Sequence, residues 1–316
     1  MLNFDFEVHI LGDVRRQSLR SRLIVPQNYI KVKQMSNLYH EITPEGFGIA
    51  IEEDKHLFSD KSPFQQVDVF HSRAFGNVLT LDGLMMVTER DEFFYHELIV
   101  HIPMLTHKNP ENILVIGGGD GGTVRELLKH ACVKHIDMVE IDGMVIDVSK
   151  KFFPTVSCGL DNPKVSVLVQ DAIDFIKDKE NIYDVVLIDS TDPIGPGEGL
   201  FNEGFYNNVK RALKKGGIVV PQTEGPFGQS DNMRKTYKLL NKVFKYVAPY
   251  CSPMPTYPGG YWSWGFCSDD IEPPIDYTKI DEKRASEISK TCKIYNREFH
   301  SAVFKVPNFV KELAKG

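Results

Sequence analysis

Ile113-Leu114-Val115-Ile116-Gly117-Gly118-Gly119-Asp120-Gly121-Gly122-Thr123 decides the fold of this 316-residue chain. Four consecutive apolar residues read as a strand buried on both faces. The glycines after them satisfy G-x-G-x-x-G and open a helix over Thr123 to His130. A bare match to that pattern is weak, but a strand before it and a helix after it give it weight. Glu140 lies about 20 residues on, at the end of the next apolar strand, Ile136-Asp137-Met138-Val139. A carboxylate there can accept both hydrogen bonds of a ribose diol. Further strands read at Val165 to Val169, Val185-Val186-Leu187-Ile188 and Ile218-Val219-Val220, separated by helical stretches. Apolar strands alternating with helices imply an α/β fold with a parallel-rich sheet covered on both faces. Upstream of residue 105 the pattern differs. Phe47, Ile49 and Ile51 alternate with small residues, Val67 to Phe70 follows a turn-rich stretch, and Val78 to Leu81 runs into the hairpin-type turn Asp82-Gly83. This predicts a small antiparallel β domain. Thr88 and Asp91 resemble a capping box ahead of a helix from about Glu89 to Ile102 that stops near Pro103.

The ends of the parallel strands carry acids: Glu140, Asp171, Asp189 and, three residues on, Asp192. Parallel sheets bind ligands beyond the carboxyl ends of their strands. Together with Asp120 these five acids are expected on one rim, although any single one serves as readily as a helix cap. The constellation suits an adenosine ligand, either a nicotinamide dinucleotide or an S-adenosyl compound. Asp120 inside the glycine loop would repel a diphosphate and attract a ligand with a positive end. The net charge of −6 agrees, because it argues against a general nucleic-acid binder and permits a cationic ligand. The prolines and glycines after Asp192 suggest a stiffened flap.

Other classes find no support. The five cysteines are scattered with no CxxC pair, so a disulfide framework and a thiolate zinc site are not expected. No apolar run approaches the ~20 residues of a membrane helix, and the N-terminus carries acids where a signal peptide carries bases. A reducing, cytoplasmic setting fits. His96 and His101 resemble H-E-x-x-H with one residue too many; they stand about 140° apart on a helix, so one zinc ion does not easily take both. No nucleophile elbow and no Walker lysine is present. Trp262 and Trp264 read as packing residues, and Arg15, Arg16, Arg20 and Arg22 as a solvated segment.

From about residue 37 to the C-terminus the chain resembles the spermidine synthases, a family of polyamine aminopropyltransferases. The resemblance rests on Gly117 to Gly122, on Asp189-Ser190-Thr191-Asp192-Pro193-Ile194-Gly195-Pro196, on Leu81-Asp82-Gly83, on Thr88 to Phe93, on Pro255-Thr256-Tyr257-Pro258, and on Tyr295-Asn296 with His300 and Ala302-Val303-Phe304. It implies a small β domain (37–105) and a methyltransferase-like Rossmann catalytic domain (106–316), and leaves residues 1–36 as an N-terminal extension. It implies transfer of an aminopropyl group from decarboxylated S-adenosylmethionine, as co-substrate, to putrescine, with no metal and no permanently bound cofactor. By position Asp189 matches the proton acceptor. Gln65, Gly117, Gly119, Asp120, Glu140, Asp171, Ala172 and Pro196 match donor-binding positions. Tyr95, His96, Asp120, Asp189, Asp192 and Tyr257 match positions around the aminopropyl group and the diamine. Members form homodimers or homotetramers. Ala172 stands where many members have glycine, Gly225 replaces a commoner serine, the position of His96 varies in the family, and residues 1–36 have no clear counterpart. Agmatine or cadaverine as acceptor, methyl transfer from intact S-adenosylmethionine, nicotinamide-dependent oxidation and simple polyamine binding are the competing readings.

Overall fold

A computed structural model of the chain describes residues 37–43, 45–191, 195–276 and 280–316. The expected extension over 1–36 lies outside them.

Strands β1 (Leu38–Ile42) and β2 (Gly48–Glu52) pair antiparallel as a two-stranded ribbon. Strands β3 (Lys55–Lys61), β4 (Gln66–Ser72), β5 (Gly76–Leu81) and β6 (Leu84–Thr88) form an antiparallel sheet in the order β3-β4-β5-β6. Asp82 and Gly83 join the last two with φ of 49° and 80°, as a two-residue hairpin turn requires. Val67 and Val69 of β4, with Leu79, Leu81 and Val87, pack against Val145, Val148 and Phe153 of the segment beyond.

Helix α1 (Phe93–Thr106) departs from expectation at both ends. Thr88 does bond Asp91, at 2.6 Å, but the other Asp91 oxygen holds the backbone N–H and hydroxyl of Thr256 at 3.0 and 2.7 Å. The pair therefore fixes a turn, and the helix starts only at Phe93. Pro103 lies inside the helix rather than ending it. A proline there removes one helical N–H bond. It is tolerated because Ile99, Ile102 and Leu105 anchor that turn in the core, and because Pro103 accepts the N–H of His107 at 2.9 Å.

The chain then alternates: β7 (Asn112–Gly117), α2 (Gly122–Leu128), β8 (His135–Glu140), α3 (Gly143–Phe152), β9 (Val165–Val169), α4 (Ala172–Ile176), β10 (Tyr183–Asp189), α5 (Glu203–Ala212), β11 (Leu213–Pro221) and α6 (Ser230–Val243). Two antiparallel strands follow, β12 (Tyr246–Pro253) and β13 (Tyr261–Ser268), and then α7 (Glu282–Ser289), α8 (Arg297–Ala302) and α9 (Asn308–Leu313). The seven strands order as β12-β13-β11-β10-β7-β8-β9. Alternate residues of β7 enter different cores: Ile113 and Val115 face one layer of helices, Leu114 and Ile116 the other. The chain runs outward from β7 through β8 to β9, then crosses back to lay β10 on the other side of β7. That reversal makes the carboxyl ends of β7 and β10 the switch point where such sheets bind ligands.

Candidate active site

At the switch point Gly117 pairs with Asp189, and the N–H of Gly118 donates to the Asp189 carbonyl at 2.9 Å. Gly117 has φ of 80°, and a Cβ on it would stand 2.2 Å from that carbonyl oxygen. Only glycine lets the two strand ends meet this closely. Above them opens a cleft of about 1310 Å³ counted out to its mouth. Gln65, Tyr95, His96, Gly117, Gly119, Asp120, Glu140, Asp171, Ala172, Asp189 and Tyr257 all border it. Asp192 lies outside the described residues, as does the side chain of Pro196; the expected flap is therefore described only from Gly195 onward, as a 3₁₀ turn over Gly195–Leu200.

Two carboxylates on the cleft floor differ in proton affinity. Burial pushes Asp189 up, and the neighbouring Asp120 adds to this; His96, Tyr95 and the Thr123 hydroxyl, which donates to Asp189 Oδ2 at 2.6 Å, work the other way. Burial also acts to raise Asp120, yet His96 and the Gly122 N–H, at 2.7 Å from Oδ1, outweigh it and hold Asp120 below the usual range. Two groups whose surroundings separate their proton affinities are arranged for different roles. His96 Nε2 faces Asp120 Oδ1 at 3.3 Å and Nδ1 faces Glu92 Oε2 at 2.7 Å. Glu92 in turn accepts from Arg125 Nη2 at 2.7 Å.

Glu140 borders the cleft one strand away. Burial pushes its carboxyl up to about 7, against the pull of the Asp142 and Gly119 N–H groups. Asp171 caps α4 by accepting from Ile173 N at 2.7 Å and also borders the cleft, so cap and cleft positions coincide. Gln65 is held by Asp142, whose Oδ2 accepts from Gln65 Nε2 at 2.9 Å and from the Ser62 hydroxyl at 2.6 Å. The opposite wall is aromatic. The Tyr257 hydroxyl donates to the Met86 carbonyl at 2.7 Å, and its ring meets Trp262 edge-on at 4.5 Å. Trp264 is fully buried and stacks on Tyr250, as a packing residue should.

Sequence reasoning missed Glu92, Arg125 and Asp142. The contacts that join Glu92 to Arg125 and Asp142 to Gln65 and Ser62 are distant in sequence; the local signals were the four-residue spacing of Glu92 and His96 and the place of Asp142, opening a helix after an acid-ended strand. His96 and His101 point to different partners. Among the described residues His101, Glu126 and Cys292 bring ligand-type atoms within 4.8 Å of one another. That carboxylate is already held by His101 at 3.0 Å, Lys129 at 2.5 Å and Arg125 at 2.9 Å.

Residues 92–279 match the spermine/spermidine synthase domain and residues 38–89 the spermidine synthase tetramerisation domain. The polyamine aminopropyltransferase of Alkaliphilus metalliredigens is 47% identical over 277 residues, covering 87% of this chain and 96% of that protein. That of Clostridium beijerinckii is 43% identical over 280 residues, covering 88% and 98%. A spermidine synthase crystallised with the transition-state analogue AdoDATO superposes with a TM-score of 0.86 at 38% identity, covering 89% of this chain and 96% of that one. Spermidine synthase from Thermotoga maritima gives 0.83 at 38% identity, covering 88% and 94%.

Proposed function

This chain belongs to the spermine/spermidine synthase family and is an aminopropyltransferase, and we propose that it moves the aminopropyl group of decarboxylated S-adenosylmethionine onto putrescine, releasing spermidine and methylthioadenosine. The observation that carries this reading is the pair Asp120 and Asp189, side by side on the cleft floor with opposite shifts in proton affinity.

In this reading Glu140 takes the ribose hydroxyls, and Gln65, Asp171 and Ala172 hold the rest of the nucleoside. The Gly117 and Gly119 backbone lets the nucleoside lie close. Asp120 faces the ammonium of the aminopropyl arm. The acceptor amine attacks the methylene beside the sulfonium; a C–N bond forms, the C–S bond breaks, and its electron pair stays on sulfur. The amine proton passes to Asp189. An alkyl ammonium has a pKa of ~10.4, so freeing its lone pair near pH 7 costs about 4.6 kcal/mol. An aspartate whose proton affinity is raised is the better acceptor for that proton. Tyr95, Asp192 and Tyr257 hold the amine in line, His96 backs Asp120 beside the aminopropyl group, and Pro196 takes part in holding the nucleoside.

Asp120 also supports the choice of donor. Intact S-adenosylmethionine carries a carboxylate, and two like charges ~4 Å apart repel by ~4 kcal/mol at an effective dielectric of about 20. The adjoining His96 offsets part of this, so discrimination falls below the thousandfold that ~4 kcal/mol represents. No helix among the described residues is long and apolar enough to cross a membrane. A cytoplasmic homodimer or homotetramer, working without a metal, completes the reading. The test supplies decarboxylated or intact S-adenosylmethionine with putrescine, agmatine, cadaverine or spermidine and measures methylthioadenosine against S-adenosylhomocysteine. Methylthioadenosine formed fastest with putrescine supports it; S-adenosylhomocysteine, or a faster second amine, overturns it.

A further inference from the structure

Behind the cleft floor four buried or half-buried side chains alternate in charge. Arg125 donates to Glu92 Oε2 at 2.7 Å, the same oxygen accepts from His96 Nδ1 at 2.7 Å, and His96 Nε2 stands 3.3 Å from Asp120 Oδ1. Glu92 is 5% exposed and His96 2%. A neutral imidazole has one N–H, so with a carboxylate at each nitrogen one lone pair would face another. The buried ring is therefore an imidazolium, held there by two anions. Among the described residues, the charged or titratable groups that face it are Glu92 on the turn ahead of α1, Asp120 on the loop between β7 and α2, Asp189 at the end of β10, and Tyr95 beside it, with Arg125 behind Glu92. Gly122 leaves no slack, since a Cβ on it would lie 2.3 Å from the ring.

We propose that Glu92 is a positioning residue whose charge keeps His96 doubly protonated, and that His96 so held fixes Asp120 with one oxygen turned inward and the other free for the cationic end of the donor. This rests on the donor assignment above. It differs from a space-filling role in a measurable way. Glu92→Gln keeps the volume and an acceptor for the Nδ1 proton but removes the charge.

The experiment follows the ring nitrogens of His96 by NMR in the ¹⁵N-histidine-labelled full chain, His96 being assigned by its loss in His96→Gln. In the parent protein the ring stays doubly protonated through pH 8. In Glu92→Gln it loses a proton near neutrality; Glu92→Asp, which keeps the charge, holds it. The Michaelis constant for decarboxylated donor rises about tenfold in Glu92→Gln, while methylthioadenosine, which has no ammonium, binds as before. A ring equally protonated with and without the Glu92 charge overturns the proposal, as does a parallel loss of donor and methylthioadenosine affinity. If the parent protein transfers no aminopropyl group, the donor assignment fails, and the ring titration still decides whether Glu92 governs His96.

Discussion

Helix α1 carries two histidines five residues apart, and they belong to opposite kinds of polar cluster. His96 lies in a series that ends on a carboxylate at open space. His101 lies in one that closes on itself: its Nε2 meets Glu126 at 3.0 Å, its Nδ1 meets His130 at 2.9 Å, and Lys129 and Arg125 occupy the rest of Glu126. Arg125 serves both, through Nη2 to Glu92 and Nε to Glu126. Proton affinities divide accordingly. In the closed cluster burial drives His130 well below the ordinary histidine range, while its cationic partners, working against burial, hold Glu126 far below the carboxylate range. In the open one, burial raises Asp189 and Glu140. The same residue types make a brace where every charge is answered inside the protein and a binding site where some are not.

The largest expected effect breaks the open side. Asp189→Asn lowers turnover by about 10³-fold, the scale of one proton-transfer group. Methylthioadenosine affinity and melting temperature stay as they are, and methylthioadenosine release at saturating substrates checks this. The counterpart on the closed side is Glu126→Ala, which strips the buried carboxylate from the half-buried Arg125 and Lys129 and costs about 3 kcal/mol of stability in urea unfolding. Turnover per folded molecule at 25 °C is retained. The depressed Glu126 contributes its stability above its unfolded pKa, so the gap between the two proteins closes as pH falls below ~4. A variant that stays stable and loses turnover would erase the distinction.

The smallest effect sharpens the contrast by reversing its sign. The folded, ligand-free protein holds the Glu140 proton up to about 7, against 4.5 for an ordinary glutamate. The folded state therefore binds more protons in that interval, and stability declines as pH rises through it. Glu140→Gln removes this cost and stabilises the ligand-free protein at pH 8 by roughly 1 kcal/mol, less than the full shift because the cleft is open to water. At pH 4 the two proteins melt alike. Donor affinity falls in the same variant, and thermal melts with and without methylthioadenosine read both effects.

The central strands were legible because burial on both faces leaves unbroken apolar runs: Ile113 to Ile116 and Val185 to Ile188 admit one reading. Strands β3 and β12 were not. Lys55–Lys61 is a largely polar edge strand without alternation, and Tyr246–Pro253 contains prolines that a central strand would reject and an edge strand accepts. Helix α1 was misjudged at Pro103 because tertiary packing outweighs one missing hydrogen bond. In the site, acids at strand ends follow from topology, so Glu140, Asp171 and Asp189 could be placed beforehand. The pairing of Glu92 with Arg125 could not, since it comes from an encounter between the turn ahead of α1 and α2 that no local pattern encodes.

The clip between Gly118 and the Asp189 carbonyl has a further consequence. In the proposed reading the glycine backbone under the nucleoside begins at the end of β7 and the proton acceptor stands at the end of β10, so the two backbones lie one bonded-strand spacing apart, ~4.8 Å. That ruler is made of backbone. No side-chain exchange changes that backbone spacing without unpairing the sheet. Divergence toward longer or shorter amines is thereby confined to the opposite wall, where Gln229, Tyr257 and Trp262 border the cleft and substitution leaves the ruler untouched.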